Sequence, residues 1–403
     1  MSDPFLGNGS PTAEFVRKAF GDYVPGSDEV AKLNLDDWGV DKFMDPPEPV
    51  EWLIEDVLPI ESVGLIAGMG GLGKSYLLMD LCVRLAAGPG IGQSCLGGKV
   101  MTEARTFLLT GEDNYRAVNR RLHQIIDPRE FKKLGDRLRL VPMPDAGGTQ
   151  HFLINVGGTF HMTTEFEDIC SEIIRFDPDL GGIDPFSAFC AADINSDPAA
   201  AQTWWNAMTK LSSETKSALI TSHHMRKSEA EITDLMSARL AIRGTSGIVD
   251  GARWVYAIYP APVVDRLAAE AALDLSLGPL DLVYGGVVKA NEFGMGEVTT
   301  YVRCPSSGLL LDATSDLGQA ITEKNTLGEQ QLEETVAEIN VRWDAGEPFS
   351  LAPQSDRWIG SWMMGRFDVK KPVVRKYLGE WKDKGYFKQV YVTKLKSKGL
   401  RGN

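Results

Sequence analysis

A chain of 403 residues suggests two or three domains at ~150 residues each, and 43% apolar with 24% charged residues is an ordinary globular composition. No uninterrupted apolar run approaches the ~18–20 residues of a membrane span, and MSDPFLGNGSPTAEF lacks the basic-then-apolar order of a secretory signal. The net charge of −13 opposes nucleic-acid binding by the whole chain, but from Leu351 onward 13 Lys+Arg face 4 Asp+Glu, a balance of +9 against −22 for the rest. Such asymmetry suggests a polyanion-binding module on an acidic body; a solvated lysine-rich end is the plain alternative. Five scattered cysteines (Cys82, Cys95, Cys170, Cys190 and Cys304) make no CxxC pair. That argues against a zinc site or disulfide framework and leads us to expect a cytoplasmic protein.

In chain order, residues 1–49 read as a loosely ordered arm with a weak helical pattern at Glu14–Phe20, ended by Pro46-Pro47. From 50 to 313 short apolar runs alternate with helical patterns. The runs are Val63–Gly68, Thr106–Thr110, Leu138–Pro142, Leu180–Asp184, Ala218–His223 and Trp254–Tyr259. This alternation predicts an α/β domain with a mainly parallel sheet covered on both faces. Leu282–Lys289, Glu297–Arg303 and Gly308–Asp312 follow without helices between them and predict antiparallel edge strands. Residues 314–326 are polar and linker-like. Over 327–403, helical patterns at Glu329–Trp343, Asp356–Gly365 and Pro372–Lys384 precede a strand pair at Phe387–Leu395. Three helices and a two-stranded wing describe a winged helix, basic and suited to DNA. Val374, Leu378 and Trp381 share one face of its third helix, with Lys371, Arg375, Lys376 and Lys382 on the other side.

GMGGLGKS, Gly68–Ser75, matches G-x(4)-G-K-[ST] between a predicted strand and a predicted helix. Gly68, Gly70, Gly71 and Gly73 allow backbone N–H groups to wrap a phosphate, Lys74 reaches the β and γ phosphates, and Ser75 is placed to ligate Mg²⁺. Asp184, at the tip of LGGID, fits the carboxylate that holds Mg²⁺ through water, or a turn residue before Pro185. Pro-Phe follows it, not Glu, so a catalytic base has to come from elsewhere. Glu112 in LLTGEDNYRAVNRRL ends the neighbouring strand and is the first candidate, Asp113 the second. The alternative for Glu112 is a helix N-terminal carboxylate favoured by the dipole. His223 and His224 end the strand ITSHH and face opposite ways. His224 is the candidate phosphate sensor, with a plain surface histidine as its alternative. Arg226–Arg239 reads as polar and mobile. Arg253, in RGTSGIVDGARW, starts the next strand and suits an arginine offered to a neighbouring subunit's γ-phosphate, supported by Lys289 and Asn291 in KANEFG. Each is otherwise an edge-strand charge.

Taken in order, GMGGLGKS, GEDNYRAVNRRLH, GGIDPFSAF, ITSHH, RGTSGIVDGARW and KANEFG resemble the RecA-like P-loop ATPases. They are most similar to plasmid RepA-type hexameric replicative helicases and the AAA family ATPases of phages and mobile elements. The resemblance covers roughly residues 50–295. It implies ATP and Mg²⁺ as ligands, with Lys74 and Ser75 at the nucleotide, Glu112 as base, Asp184 as Walker B residue, His224 as sensor and Arg253 as trans arginine. It also implies a homo-oligomer, a hexamer, that moves along single-stranded DNA in replication. The arm and the basic C-terminal module lie outside it, and Arg226 and Lys227 are the local positive charge for a DNA channel, among Glu229, Glu231 and Asp234. Two other functions fit parts of the sequence: a DNA-binding ATPase regulator or recombination factor without unwinding activity, and a metabolic P-loop kinase.

Overall fold

The apolar runs assemble into one nine-stranded sheet in the computed structural model, which describes residues 34–226, 232–325, 327–367, 369, 371–392, 395 and 397–402. Its strands are β1 (Val63–Gly68), β2 (Thr106–Thr110), β3 (Leu138–Pro142), β4 (Leu180–Asp184), β5 (Ala218–His224), β6 (Trp254–Pro260), β7 (Leu282–Ala290), β8 (Thr299–Arg303) and β9 (Leu310–Asp312). They lie in the order β9-β8-β7-β6-β1-β5-β4-β2-β3. The six strands from β6 to β3 pair in parallel, and β8 with β9 antiparallel.

Parallel strands need crossovers, and four supply helices: α1 (Lys74–Ala87), α2 (Tyr115–Ile125), α3 (Thr164–Phe176) and α4 (Pro198–Thr215). Alternation along the strands sends side chains to opposite faces. Leu65, Phe107, Leu109 and Val255 pack with Phe166 of α3 and Trp204 of α4. Ile66, Leu108, Tyr256 and Ile258 pack with Leu78 and Leu81 of α1. Both faces are therefore covered, as the unbroken apolar runs require. Within α1, Leu77, Leu78, Leu81 and Leu85 are buried, each worth about 1.5–3 kcal/mol relative to exposure. Gly88 ends the helix at φ 73°, its N–H donating to the Arg84 and Leu85 carbonyls.

Two short helices follow β5: α5 (Leu235–Leu240) and α6 (Ser246–Gly251). The end of Arg226–Arg239, read as mobile, is helical because Asp234 and Ser237 form a reciprocal capping box; Lys227, Glu229 and Glu231 lie outside the described residues. So do residues 1–33 and the helix expected at Glu14–Phe20. Residues 34–49 contain two 3₁₀ turns, Leu35–Trp38 and Val40–Phe43, with no buried side chain.

The chain divides into two units, Met1–Tyr259 with Val283–Asp312, and Pro260–Leu282 with Ala313–Asn403. The second unit holds α7 (Val263–Leu273), α8 (Thr314–Asn325), α9 (Glu329–Asp344), α10 (Ile359–Phe367), α11 (Lys371–Asp383) and an antiparallel pair, β10 (Phe387–Val392) and β11 (Ser397–Gly402). The expected linker is thus helix α8, because Leu317 and Ile321, four residues apart on one face, are both buried. The three helices and hairpin expected over 327–403 are present as elements, but they share their unit with α7 and α8 instead of standing alone. Val374, Leu378 and Trp381 join Ile359, Met363 and Phe387 in their core, while Lys371, Arg375, Lys376 and Lys382 are exposed. No described helix is long and apolar enough to cross a membrane, and the five cysteines are free thiols.

Candidate nucleotide site at the carboxyl edge of the sheet

β1, β2, β4 and β5 end together on one edge, where ligands of parallel sheets bind. The register aligns Asp184 with Thr110 and His224 with Gly68. Between Gly68 and Lys74 the chain wraps a cradle. Gly71 and Gly73 take φ 76° and 103°, where a side chain would be strained. A Cβ added at Gly70 or Gly71 meets nothing within 4 Å, so the cradle is open on that side, with room for an anion.

Lys74 is 6% exposed. Its Nζ donates to Met69 O at 3.1 Å and lies 3.3 Å from His224 Nδ1. Burial lowers the Lys74 pKa, opposed by the charges of Asp184 and Glu112. An ammonium only donates, so Nδ1 of His224 accepts and the ring proton sits on Nε2. Burial, then Lys74, hold the His224 pKa below its usual value. The neutral ring therefore offers an Nε2–H donor beside the lysine, the group a phosphate sensor needs.

Asp184 is 4% exposed. Burial raises its pKa, and hydrogen bonds from the Ser222 and Ser75 hydroxyls act the other way. Ser75 and Asp184 thus bring a hydroxyl and a carboxylate oxygen together at the helix start. Among the described residues no cluster of three or more His, Cys, Asp or Glu side chains could hold a metal alone. Mg²⁺ typically takes one or two protein oxygens and fills its octahedron with phosphate and water, so the Ser75–Asp184 pair fits it.

Glu112 reaches this edge through Gly111, whose N–H donates to Asp184 O at 2.8 Å and whose carbonyl accepts from Thr149 Oγ1 at 2.7 Å. Burial, then the charges of Asp184 and Asp113, raise the Glu112 pKa, with Lys74 opposing. Asp113 is occupied by Arg121, which donates Nη1 to one oxygen and Nη2 to the other, the latter at 3.0 Å, while stacking over Tyr76 at 5.1 Å. Glu112 lies just before the amino end of α2, so the helix-dipole reading stands beside the base role. Asn114 caps α2, its Oδ1 accepting from Ala117 N at 3.0 Å, so Glu112 precedes the helix altogether.

Gly68, Gly70, Gly71, Gly73, Lys74, Ser75, Asp184, Glu112 and His224 therefore converge, and Arg253 does not join them. Trp254 pairs with Gly64 and Ile258 with Gly68, which puts Arg253 roughly 16 Å along the sheet from the cradle. It is exposed at the amino edge and shares a cavity of about 140 Å³ with Asn291, Glu61 and Ser212. Lys289 instead donates to the carbonyls of Val249, Asp250 and Ala252 at 3.1, 2.6 and 2.5 Å, closing the end of α6. Arg226 donates to Gly244 O at 2.7 Å. Sequence reasoning missed Ser222 and Arg121. Ser222 was findable, being two residues before His224 on the same strand face; Arg121 was one of three arginines on α2 with nothing local to single it out.

A protein-family profile described as "AAA domain" matches residues 29–230. A comparison with curated proteins found no match. Among solved structures, a KaiC-like protein from the hyperthermophilic archaeon Pyrococcus horikoshii OT3 is similar with a TM-score of 0.37 and 13% identity, over 64% of this chain and 93% of that one.

Proposed function

The chain belongs to the AAA-domain family of ATP-binding P-loop proteins, and from that premise we propose that it is an oligomeric ATP-hydrolysing DNA motor, a RepA-like replicative helicase. The observation that carries hydrolysis is the pairing of Glu112, which has no hydrogen-bond or ion-pair partner among the described residues, with the Lys74–His224–Asp184 cluster. Lys74 and the loop N–H groups hold the triphosphate. Ser75 and Asp184 would hold Mg²⁺, which would supply charge neutralisation. Glu112 takes a proton from water as its oxygen bonds the γ-phosphorus, the bond to the β–γ bridging oxygen breaks, and ADP and phosphate result. His224 Nε2–H donates to the γ-phosphate. Arg253, turned away from its own cradle, serves an adjoining subunit of a hexameric ring.

DNA as partner rests on the motif order and on the basic stretch from Leu351 onward, 13 Lys+Arg against 4 Asp+Glu. Arg375, Lys382, Lys384, Lys388 and Lys398 are exposed there on α11 and the hairpin. We assign three helices and the hairpin to a winged helix that meets duplex DNA, with the ring acting on single strands. A second reading, an ATPase regulator without unwinding activity, is favoured by the +9 balance of the last residues.

The test is ATP turnover with and without single-stranded DNA, alongside unwinding of a forked duplex. Stimulation and unwinding are expected. Site-specific duplex binding without either would favour the regulator. Glu112→Gln should bind ATP normally and turn over ~10²–10⁴-fold more slowly; wild-type turnover in that variant would remove Glu112 from the base role.

A further inference from the structure

The cradle is held from outside as well as lined from inside. We propose that Arg303, at the end of β8, is a positioning residue for the phosphate loop; this rests on the nucleotide-site reading above. Its Nη2 donates to Leu72 O at 2.9 Å and to Gly71 O at 3.4 Å, and its Nη1 donates to Gly308 O at 3.1 Å. One planar guanidinium thereby ties the turn after β8 to two successive carbonyls of the loop. A Cβ placed on Gly73 would lie 3.3 Å from Leu310 and 3.5 Å from Arg303 Nη1, so this pair forms the floor directly beneath the loop.

The reason such a residue matters is geometric. A loop that aims its N–H groups inward must turn its carbonyls outward, and each needs a donor. Gly68 O takes Met225 N at 3.1 Å, and Gly73 O takes Leu77 N at 2.9 Å. Met69 O takes Lys74 Nζ. Gly71 O and Leu72 O take Arg303. Without it the Leu72–Gly73 peptide plane loses its carbonyl partner and is free to turn Gly73 N–H off the phosphates, while the Gly71–Leu72 plane keeps only the bond from Leu72 N–H to Met69 O at 3.3 Å. A lysine would keep the charge but not the fork. Arg303 also lies outside the residues the family profile matches.

The experiment compares ADP and ATP binding, KM and kcat for the full chain, Arg303→Ala and Arg303→Lys, with amide hydrogen exchange over residues 69–74. Both variants are expected to bind either nucleotide about tenfold more weakly, ~1.4 kcal/mol. KM should rise by a similar factor with kcat within about twofold, since the loop holds ground and transition states alike. Exchange at 69–74 should quicken without ligand while the sheet strands keep their protection. Wild-type affinity in a folded Arg303→Ala overturns the proposal, and so does recovery by Arg303→Lys, which would make the effect one of charge. Should Arg303→Ala not fold, Arg303→Lys decides. If the wild-type chain binds neither nucleotide, it is the nucleotide-site reading that fails, and unchanged exchange at 69–74 would then sink the clamp as well.

Discussion

His223 and His224 are neighbours on β5 with opposite surroundings. His224 faces Lys74; His223 is 2% exposed, near the Phe186 ring. The carbonyl of Arg243, 2.9 Å from His223 Nε2, only accepts, so Nε2 carries the proton and the buried Nδ1 is left without a partner. Burial pushes the His223 pKa down to about 4. The folded chain therefore resists a proton that the unfolded chain takes near the usual value of ~6.5. Stability should be fully present above pH 6.5 and fall as the pH drops toward 4, by on the order of 3 kcal/mol from this group. Denaturant unfolding of the wild type and of His223→Gln across that window checks it. The difference between the two slopes is the signal, and equal slopes would refute it. At this scale the sequence was readable wherever spacing alone sets geometry, as in GMGGLGKS. It was silent where one side chain chooses among near neighbours, as with Arg121 taking Asp113 and not Glu112.

Strands β1 to β9 were legible to within two residues, most plainly β1, β2, β4, β5 and β6, which are buried on both faces and so appear as unbroken apolar runs; the strand pair expected at Phe387–Leu395 instead runs on to Gly402. Helix α8 was not legible. Its polar composition hid a stripe only two large residues wide, Leu317 and Ile321, which matters only once there is something to pack on. The turn between β2 and α2 shows how one element places chemistry. Gly111 sits so close to the segment after β4 that a Cβ there would be 2.6 Å from Ala188 Cβ and 3.2 Å from the Phe189 ring. Gly111→Ala should push the turn away from Asp184, cost about 1–3 kcal/mol through overpacking, and lower kcat while leaving nucleotide affinity little changed. Thermal melting and steady-state kinetics read the two effects. A lower melting temperature with wild-type kcat would show that the placement of Glu112 tolerates the shift.

Across the whole molecule the cradle and Arg253 lie at opposite edges of one sheet, so a single chain cannot bring them together without unmaking β6. That separation makes the shared-site proposal open to a clean test. Lys74→Ala removes the cradle's lysine but keeps Arg253; Arg253→Ala does the reverse. Each variant alone should hydrolyse ATP poorly, the second by roughly 10³-fold with binding retained. Mixed as equal parts of one assembly, a junction is complete when an intact cradle meets an intact arginine. Random mixing should then restore about a quarter of wild-type turnover. Full activity in Arg253→Ala alone would show that this arginine takes no part. An inactive mixture, with subunit exchange shown by labelled chains, would show that no site is completed across a junction. The sequence offered Arg253 as an arginine for a neighbouring subunit, but the distance that keeps it from its own cradle is a property of the finished sheet. The register of β6 against β1 supplies that distance, and the mixing experiment asks whether an oligomer uses it.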